Sequence, residues 1–390
     1  MIDFSLALPT KVIFGKSALD QLSGVIRDNG FQNVLLVYGG QSIRKNELYD
    51  RVVAQLDASG AVYQEIGGVQ ANPTVAFCET VAALSRETNA QLLLAVGGGS
   101  VIDTCKCAAH AVANQASVED ILFGKTPVLQ TIPVGVVLTI AAAGSETSDS
   151  LVLTQESTGL KRGLSHPLNR PLFALMDPQL TYTVSPYQTA SGVVDIMMHT
   201  MERYIRLDAG DHDLIDRMSE GLLCAVINAG RKVMKNPEDY DARATLMLAG
   251  SWSHNGITGA GSKFAMIAHK LEHEMSAIDP GIAHGAGLAV VWPAYLDYIY
   301  KGDLPRFAQY ASRIWGVADA EPEEMAKEGI ARTRAYFREI GMPSTLRETG
   351  LSEADIVPMA DKATNGGTIT FPSCVPIDRQ AMIDIYQRCL

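Results

Sequence analysis

Paired cysteines are missing from this chain. Its six cysteines, Cys78, Cys105, Cys107, Cys224, Cys374 and Cys389, include no CxxC pair, so neither a disulfide framework nor a thiolate metal site is expected. Cys105 and Cys107 stand two apart in a segment of helical pattern, which points their side chains about 200° apart. Long apolar runs are missing too. The longest, around 134 to 143, contains Gly135 and Thr139 and falls well short of the ~20 residues a membrane-spanning helix needs. The opening MIDFSLALPT has no basic stretch leading into an apolar one, so no secretory leader is expected and a cytoplasmic location is the default. Runs of Lys or Arg are absent and the formal net charge is −11; nucleic acid and anionic membranes are not expected as partners. Histidine is scarce, at eight residues, which makes its placement informative.

At 390 residues, 47% of them hydrophobic and 19% charged, the chain is long enough for two cored domains. The segment 4 to 14, FSLALPTKVIF, reads as β-rich and broken by Pro9. NVLLVYGG is a continuous apolar run ending in paired glycines, 46 to 57 has helical period, and AVYQEIGGV is again strand-like. A helix is expected over 74 to 87, and QLLLAV then runs into Gly97, Gly98, Gly99 and Ser100 before a second helical pattern. Strands alternating with helices give a parallel sheet covered on both faces, so 1 to 180 are expected to form an α/β doubly wound, Rossmann-like domain. From 181 to 390, helix-length segments follow one another at 186 to 207, 211 to 235, 238 to 275, 292 to 314 and 322 to 340, and an all-helical domain is expected.

Three stretches carry chemistry. The strand–GGGS–helix junction strips side chains from the turn, lets backbone N–H groups approach an anion, and aims the positive end of a helix dipole at it, as a pyrophosphate requires. In VVDIMMHTMERY, Asp195 and His199 share one helix face at i, i+4. Taken alone, such a pair is also a common solvated contact. The third stretch, AMIAHKLEHEMSAIDPGIAHGAG, adds His269 and His273 at the same spacing and then His284, with Gly281, Gly285 and Gly287 expected to let the chain turn back. Nitrogen and oxygen donors without thiolate suit Fe2+ or Zn2+, and an incomplete protein shell leaves a position open for substrate.

The D-x3-H, the later H-x3-H and the H-G that follows resemble the metal-binding signature of the iron-containing alcohol dehydrogenase family, in its butanol dehydrogenase and broad aldehyde reductase branch. GVVLTIAAAGSETSDS is similar to that family's Thr-bearing strand and TGSE segment: Gly144, Ser145 and Glu146 match, and Ala143 stands where a Thr is usual. GGGSVID with Lys106, then Lys161, then MDPQLTYT follow in the family's order. The resemblance implies a dehydroquinate synthase-like architecture, with Asp195, His199, His269 and His284 as metal ligands. It implies a cofactor site drawn from Gly39, Gly40, Ser42, Gly97, Gly98, Gly99, Ser100, Asp103, Thr139, Ser148, Lys161, Leu180 and Thr183. His269 and His284 lie fifteen residues apart, one more than in the family, so His273 competes for the third ligand position. With His269 as ligand, His273 is left as the catalytic group that passes a proton to the nascent alkoxide.

The chemistry expected is hydride transfer between a nicotinamide and an aldehyde or primary alcohol whose oxygen is polarised by the metal. Two other readings remain: a lyase-type cyclisation like that of dehydroquinate synthase, for which the metal segments are poor in Arg and Lys, and a non-catalytic metal- or nucleotide-binding protein. At the adenosine ribose, the strand ends Tyr38-Gly39-Gly40-Gln41-Ser42-Ile43-Arg44-Lys45 with no carboxylate before Glu47. Small, polar and basic residues there admit a 2′-phosphate, as in the family's YGGGS-bearing reductases, so NADP(H) is expected over NAD(H). An unpaired apolar edge at 4 to 14 would invite a second copy, giving a homodimer or a multiple of one.

Overall fold

Strands β1 (Lys11–Phe14), β2 (Asn33–Tyr38), β3 (Val62–Ile66), β4 (Leu92–Gly97), β5 (Val134–Leu138) and β8 (Phe173–Met176) form one six-stranded sheet in the order β1-β8-β5-β4-β2-β3. Every pairing in it is parallel. Strands β6 (Ser150–Gln155) and β7 (Leu160–Ser165) make a separate antiparallel hairpin. The computed structural model of the chain describes all residues except Gln41, Asn46 and Ala209, and of Lys45 the backbone alone.

The continuous apolar strands are explained by burial on both faces. Along β2 and β4, Leu35, Val37, Leu93 and Ala95 enter one core, while Val34, Leu36, Leu92, Leu94 and Val96 enter another across the sheet. That is the period-two alternation of a pleated strand. Each fully buried Val or Leu contributes about 1.5–3 kcal/mol relative to exposure.

The sheet belongs to a unit comprising Ala7–Val184 and Glu238–Asn255; Met1–Leu6, Ser185–Pro237 and Gly256–Leu390 form a second, helical unit. The segment expected as one helix over 238 to 275 is therefore two helices, Tyr240–His254 and Ile267–Ile278, the first built into the sheet unit. Gly144 explains that docking: it has φ +66, and a Cβ there would lie 2.3 Å from the Gly250 carbonyl oxygen. Thr147 Oγ1 donates to the Ser251 carbonyl at 3.2 Å and Ser251 Oγ donates to Glu146.

Strand pairing begins only at Lys11, not at residue 4, and Pro9, which has no N–H to give a ladder, fits that late start. As expected, β1 lies at the sheet edge. The helical unit contains Pro186–Tyr204, Asp213–Lys235, His284–Ile299, Leu304–Trp315 and Pro322–Glu339 among its helices. Among the described residues, no helix is long and apolar enough to cross a membrane.

Candidate metal centre and nucleotide cradle

Ser185 and Pro186 start the helix that carries Asp195 and His199. The Ser185 hydroxyl accepts from the Gln188 N–H at 3.3 Å, and Pro186 occupies the first turn, where its missing N–H costs nothing. Every residue from Thr189 to Tyr204 is buried, so Asp195 and His199 sit on an interior helix rather than on a solvated face. His269 comes from Ile267–Ile278, and His284 is the first residue of His284–Ile299.

The glycines near His284 work by close approach rather than by turning. A Cβ on Gly285 would lie 2.0 Å from the Ser191 carbonyl oxygen, and one on Gly287 would lie 2.7 Å from Glu272 Cγ. Their absence lets the start of one helix rest against another one turn before Asp195. The turn itself is made at Asp279, whose Oδ1 accepts from the Gly281 N–H at 2.8 Å.

Asp195 Oδ1 lies 3.5 Å from His199 Nδ1, 3.7 Å from His269 Nε2 and 3.7 Å from His284 Nε2. Donor atoms of Asp195, His199 and His269 all fall within 4.8 Å of one another. Asp195 Oδ1 and His269 Nε2 are buried and make no hydrogen bond among the described residues. Leaving such atoms unsatisfied is costly, and a divalent cation would satisfy them together. The residues therefore fit a metal.

Two carboxylates that the sequence reading did not single out set the ring orientations. Glu202 accepts from His269 Nδ1, and its other oxygen accepts from the Ala268 N–H at 2.6 Å. Glu272 accepts from His284 Nδ1 and from the Ser276 hydroxyl. With Nδ1 held by the glutamate, each ring turns its Nε2 towards Asp195, the arrangement found where a carboxylate orients a ligating imidazole. Burial opposes charge on His269, but Glu202 and Asp195 outweigh it and hold the ring up at about 9. The sequence showed only that each glutamate follows a histidine by three residues, on the same helix face, and not which ring it would hold. His273 lies alongside, its ring centre 5.7 Å from that of His284 and 6.5 Å from that of His269.

In the sheet unit, β4 runs into the helix Gly99–Ala113 with Gly98 as its N-cap, and the Thr139 N–H donates to the Gly97 carbonyl at 3.1 Å. A Cβ on Gly97 would lie 2.5 Å from Val101 Cγ2 and one on Gly98 2.4 Å from Ile140 Cγ2, so the bare turn is enforced by packing. Asp103 and Ser148 fall in a buried network. Asp103 accepts from Ser145 Oγ at 2.6 Å and from the Val152 N–H at 2.9 Å, while Lys106 Nζ donates to Ser145 Oγ at 2.8 Å and to the Ser150 carbonyl at 2.8 Å. Burial lowers Lys106 to about 8 against the pull of Asp103 and Glu146. These residues fasten the 144 to 150 loop to the helix behind the glycine turn. Lys161 lies on β7, Leu180 is buried in the sheet core, and Thr183 is exposed in the turn after it. At the end of β2, Gly39 has room for a Cβ, 3.4 Å from the Val69 carbonyl oxygen, and Gly40 is open. Ser42 begins a short helix, Ser42–Lys45; the side chain of Lys45 is outside the described residues.

A doubly wound sheet with a bare glycine turn and, in the same chain, helices bearing an Asp–His cluster suit the class of nucleotide-binding, metal-dependent enzymes. Family models agree. Residues 9–178 match the iron-containing alcohol dehydrogenase model, and 189–390 match the model of that family's C-terminal part. The chain belongs to the iron-containing alcohol dehydrogenase family. It is 36% identical over 390 residues to NADH-dependent butanol dehydrogenase A of Clostridium acetobutylicum, covering 100% of both chains. It is 35% identical to the NADPH-dependent aldehyde reductase YqhD of Escherichia coli over 94% of each. The crystal structure of NADH-dependent butanol dehydrogenase A from Thermotoga maritima superposes with a TM-score of 0.95 at 30% identity, covering 100% of this chain and 99% of that one.

Proposed function

We propose that the chain is a metal-dependent aldehyde reductase and alcohol dehydrogenase that transfers hydride between NADP(H) and an aldehyde or primary alcohol, with Asp195, His199, His269 and His284 holding one Fe2+ or Zn2+. The observation that carries this is the convergence of three imidazoles on Asp195 Oδ1, at 3.5 to 3.7 Å, with Glu202 and Glu272 turning two of the rings inward. When bound, the metal supplies Lewis acidity to the substrate oxygen and the nicotinamide supplies or accepts the hydride.

The chain's own residues do the rest. Glu202 and Glu272 keep His269 and His284 in the tautomer that leaves Nε2 available. His273, one turn along the helix from His269, passes a proton to the oxygen of the reduced substrate. The N–H groups of Gly99 and Ser100, at the start of Gly99–Ala113, bind the pyrophosphate, with Thr139, Ser148, Lys161, Leu180 and Thr183 completing the cofactor's surroundings. Both cofactors occur in the names of the similar proteins, so the choice rests on this chain: Gly39 and Gly40 leave space, Ser42 donates, and no carboxylate stands on the β2 end before Glu47. The test is oxidation of NADPH with butanal as acceptor, measured on protein reconstituted with Fe2+ or Zn2+; no turnover with metal bound would refute the reading.

A further inference from the structure

At the far end of the cradle, Arg44 is exposed to solvent yet tied to neighbouring side chains. Its Nη2 donates to the Tyr38 hydroxyl at 2.7 Å and to Glu65 Oε1 at 2.8 Å, and its guanidinium carbon lies 3.9 Å from the centre of the Tyr49 ring. The Tyr49 hydroxyl donates to Glu65 Oε2. Both oxygens of Glu65 are therefore engaged. Glu65 stands next to the end of β3, opposite Leu36 of β2, and the glycine that follows Ile66 is pressed against Tyr38, where a Cβ would lie 2.3 Å from the ring. The strand pairing and the Tyr38–Gly67 packing thus hold the anion and the cation together. The pair is still reachable, with side-chain exposures of 39% for Arg44 and 33% for Glu65.

The geometry points to Glu65 as the residue that sets how strongly the chain discriminates between the two nicotinamide cofactors. This rests on the dehydrogenase reading above. A 2′-phosphate arriving beside Gly39 and Ser42 gains a charge-assisted bond from Arg44 only by sharing or displacing Glu65, whose like charge it also meets. A cofactor with a free 2′-hydroxyl meets no such competition. The internal pair therefore narrows a preference that Arg44 alone would make wide.

Calorimetric titration of adenosine 2′,5′-bisphosphate and of 5′-AMP tests this without turnover, the ratio of their affinities being the readout. Glu65→Gln keeps the shape and removes the charge, and should raise the ratio roughly five- to tenfold, the scale of one or two partly exposed charge contacts. Arg44→Ala should lower the ratio below that of the unaltered protein. In the double variant the gain from Glu65→Gln should fall well below its size in the unaltered background, keeping only the part owed to direct repulsion. A ratio unchanged within twofold in Glu65→Gln would overturn the inference, and so would an equal gain in the Arg44→Ala background, which would mean that Glu65 acts without its partner. If neither nucleotide binds the unaltered protein, the nicotinamide reading itself falls, and this inference with it.

Discussion

Glu202→Gln and Glu272→Gln are the same chemical change at two carboxylates, yet the structure gives them different consequences. Glu202 faces two fixed donors, the Ala268 N–H at 2.6 Å and His269 Nδ1. A glutamine there has one acceptor and one donor end, so its NH2 must meet either the backbone N–H or the ring. If it meets the ring, Nδ1 becomes the acceptor and the proton moves to Nε2, which then cannot ligate. If it meets the backbone, a buried donor is left facing a donor, at a cost of about 1–3 kcal/mol. Glu272 instead serves His284 Nδ1 and the Ser276 hydroxyl, and a hydroxyl can rotate to accept from the amide. Glu202→Gln should therefore weaken metal binding by about 10- to 100-fold, the range for loss of a carboxylate behind a ligand, and Glu272→Gln by less than about tenfold. Chelator competition at pH 8 with Zn2+ measures both. Equal losses in the two variants, or none in Glu202→Gln, would refute the argument.

Alanine at Asp195, His199, His269 or His284 should abolish metal binding and activity with the fold retained, and at His273 should be milder; elemental analysis and circular dichroism decide. Metal loss in His273→Ala with full occupancy in His269→Ala would exchange their roles. Because His269 is held up at about 9, a proton competes for the empty site below that pH. Metal affinity should then rise with pH by up to tenfold per unit and level off near 9, and a flat profile from 6 to 9 would contradict this. Gly285→Ala should cost about 1–3 kcal/mol in urea unfolding, since its Cβ meets the Ser191 carbonyl at 2.0 Å. Gly39→Asp, for which the backbone has room, should shift kcat/KM towards NADH by about 1–3 kcal/mol. An unaltered protein that already prefers NADH would defeat the NADP(H) proposal. Light scattering at micromolar concentration should give a dimer or a multiple of one, with the exposed β1 edge and Leu8, 48% exposed, at the contact.

Much of this was legible because the signals are local. The i, i+4 pairs, the glycines after β4 and the continuous apolar strands are read within one turn or one strand, and each lies in an element of the expected type. What escaped the sequence depends on partners brought together by packing. Glu202 and His269 are 67 residues apart, and nothing local shows that a glutamate on one helix holds a histidine on another. Arg44 read as a basic residue open to a 2′-phosphate, because Glu65 reaches it only through the β2–β3 pairing. The placement of Tyr240–His254 in the sheet unit depends on Gly144, whose positive φ and close approach to Gly250 exist only in the folded chain. The two glycines after His284 were legible as necessary but not for their reason, which is contact between helices rather than a turn.

The most direct measurement is of activity against metal occupancy in a single preparation. The protein is stripped with a chelator, reloaded in steps with Fe2+ or Zn2+ without oxygen, and assayed at each step for NADPH oxidation by butanal. The account requires turnover to rise in proportion to bound metal and to saturate at one ion per chain, with none in the stripped protein. Undiminished turnover in protein shown to be metal-free would contradict it.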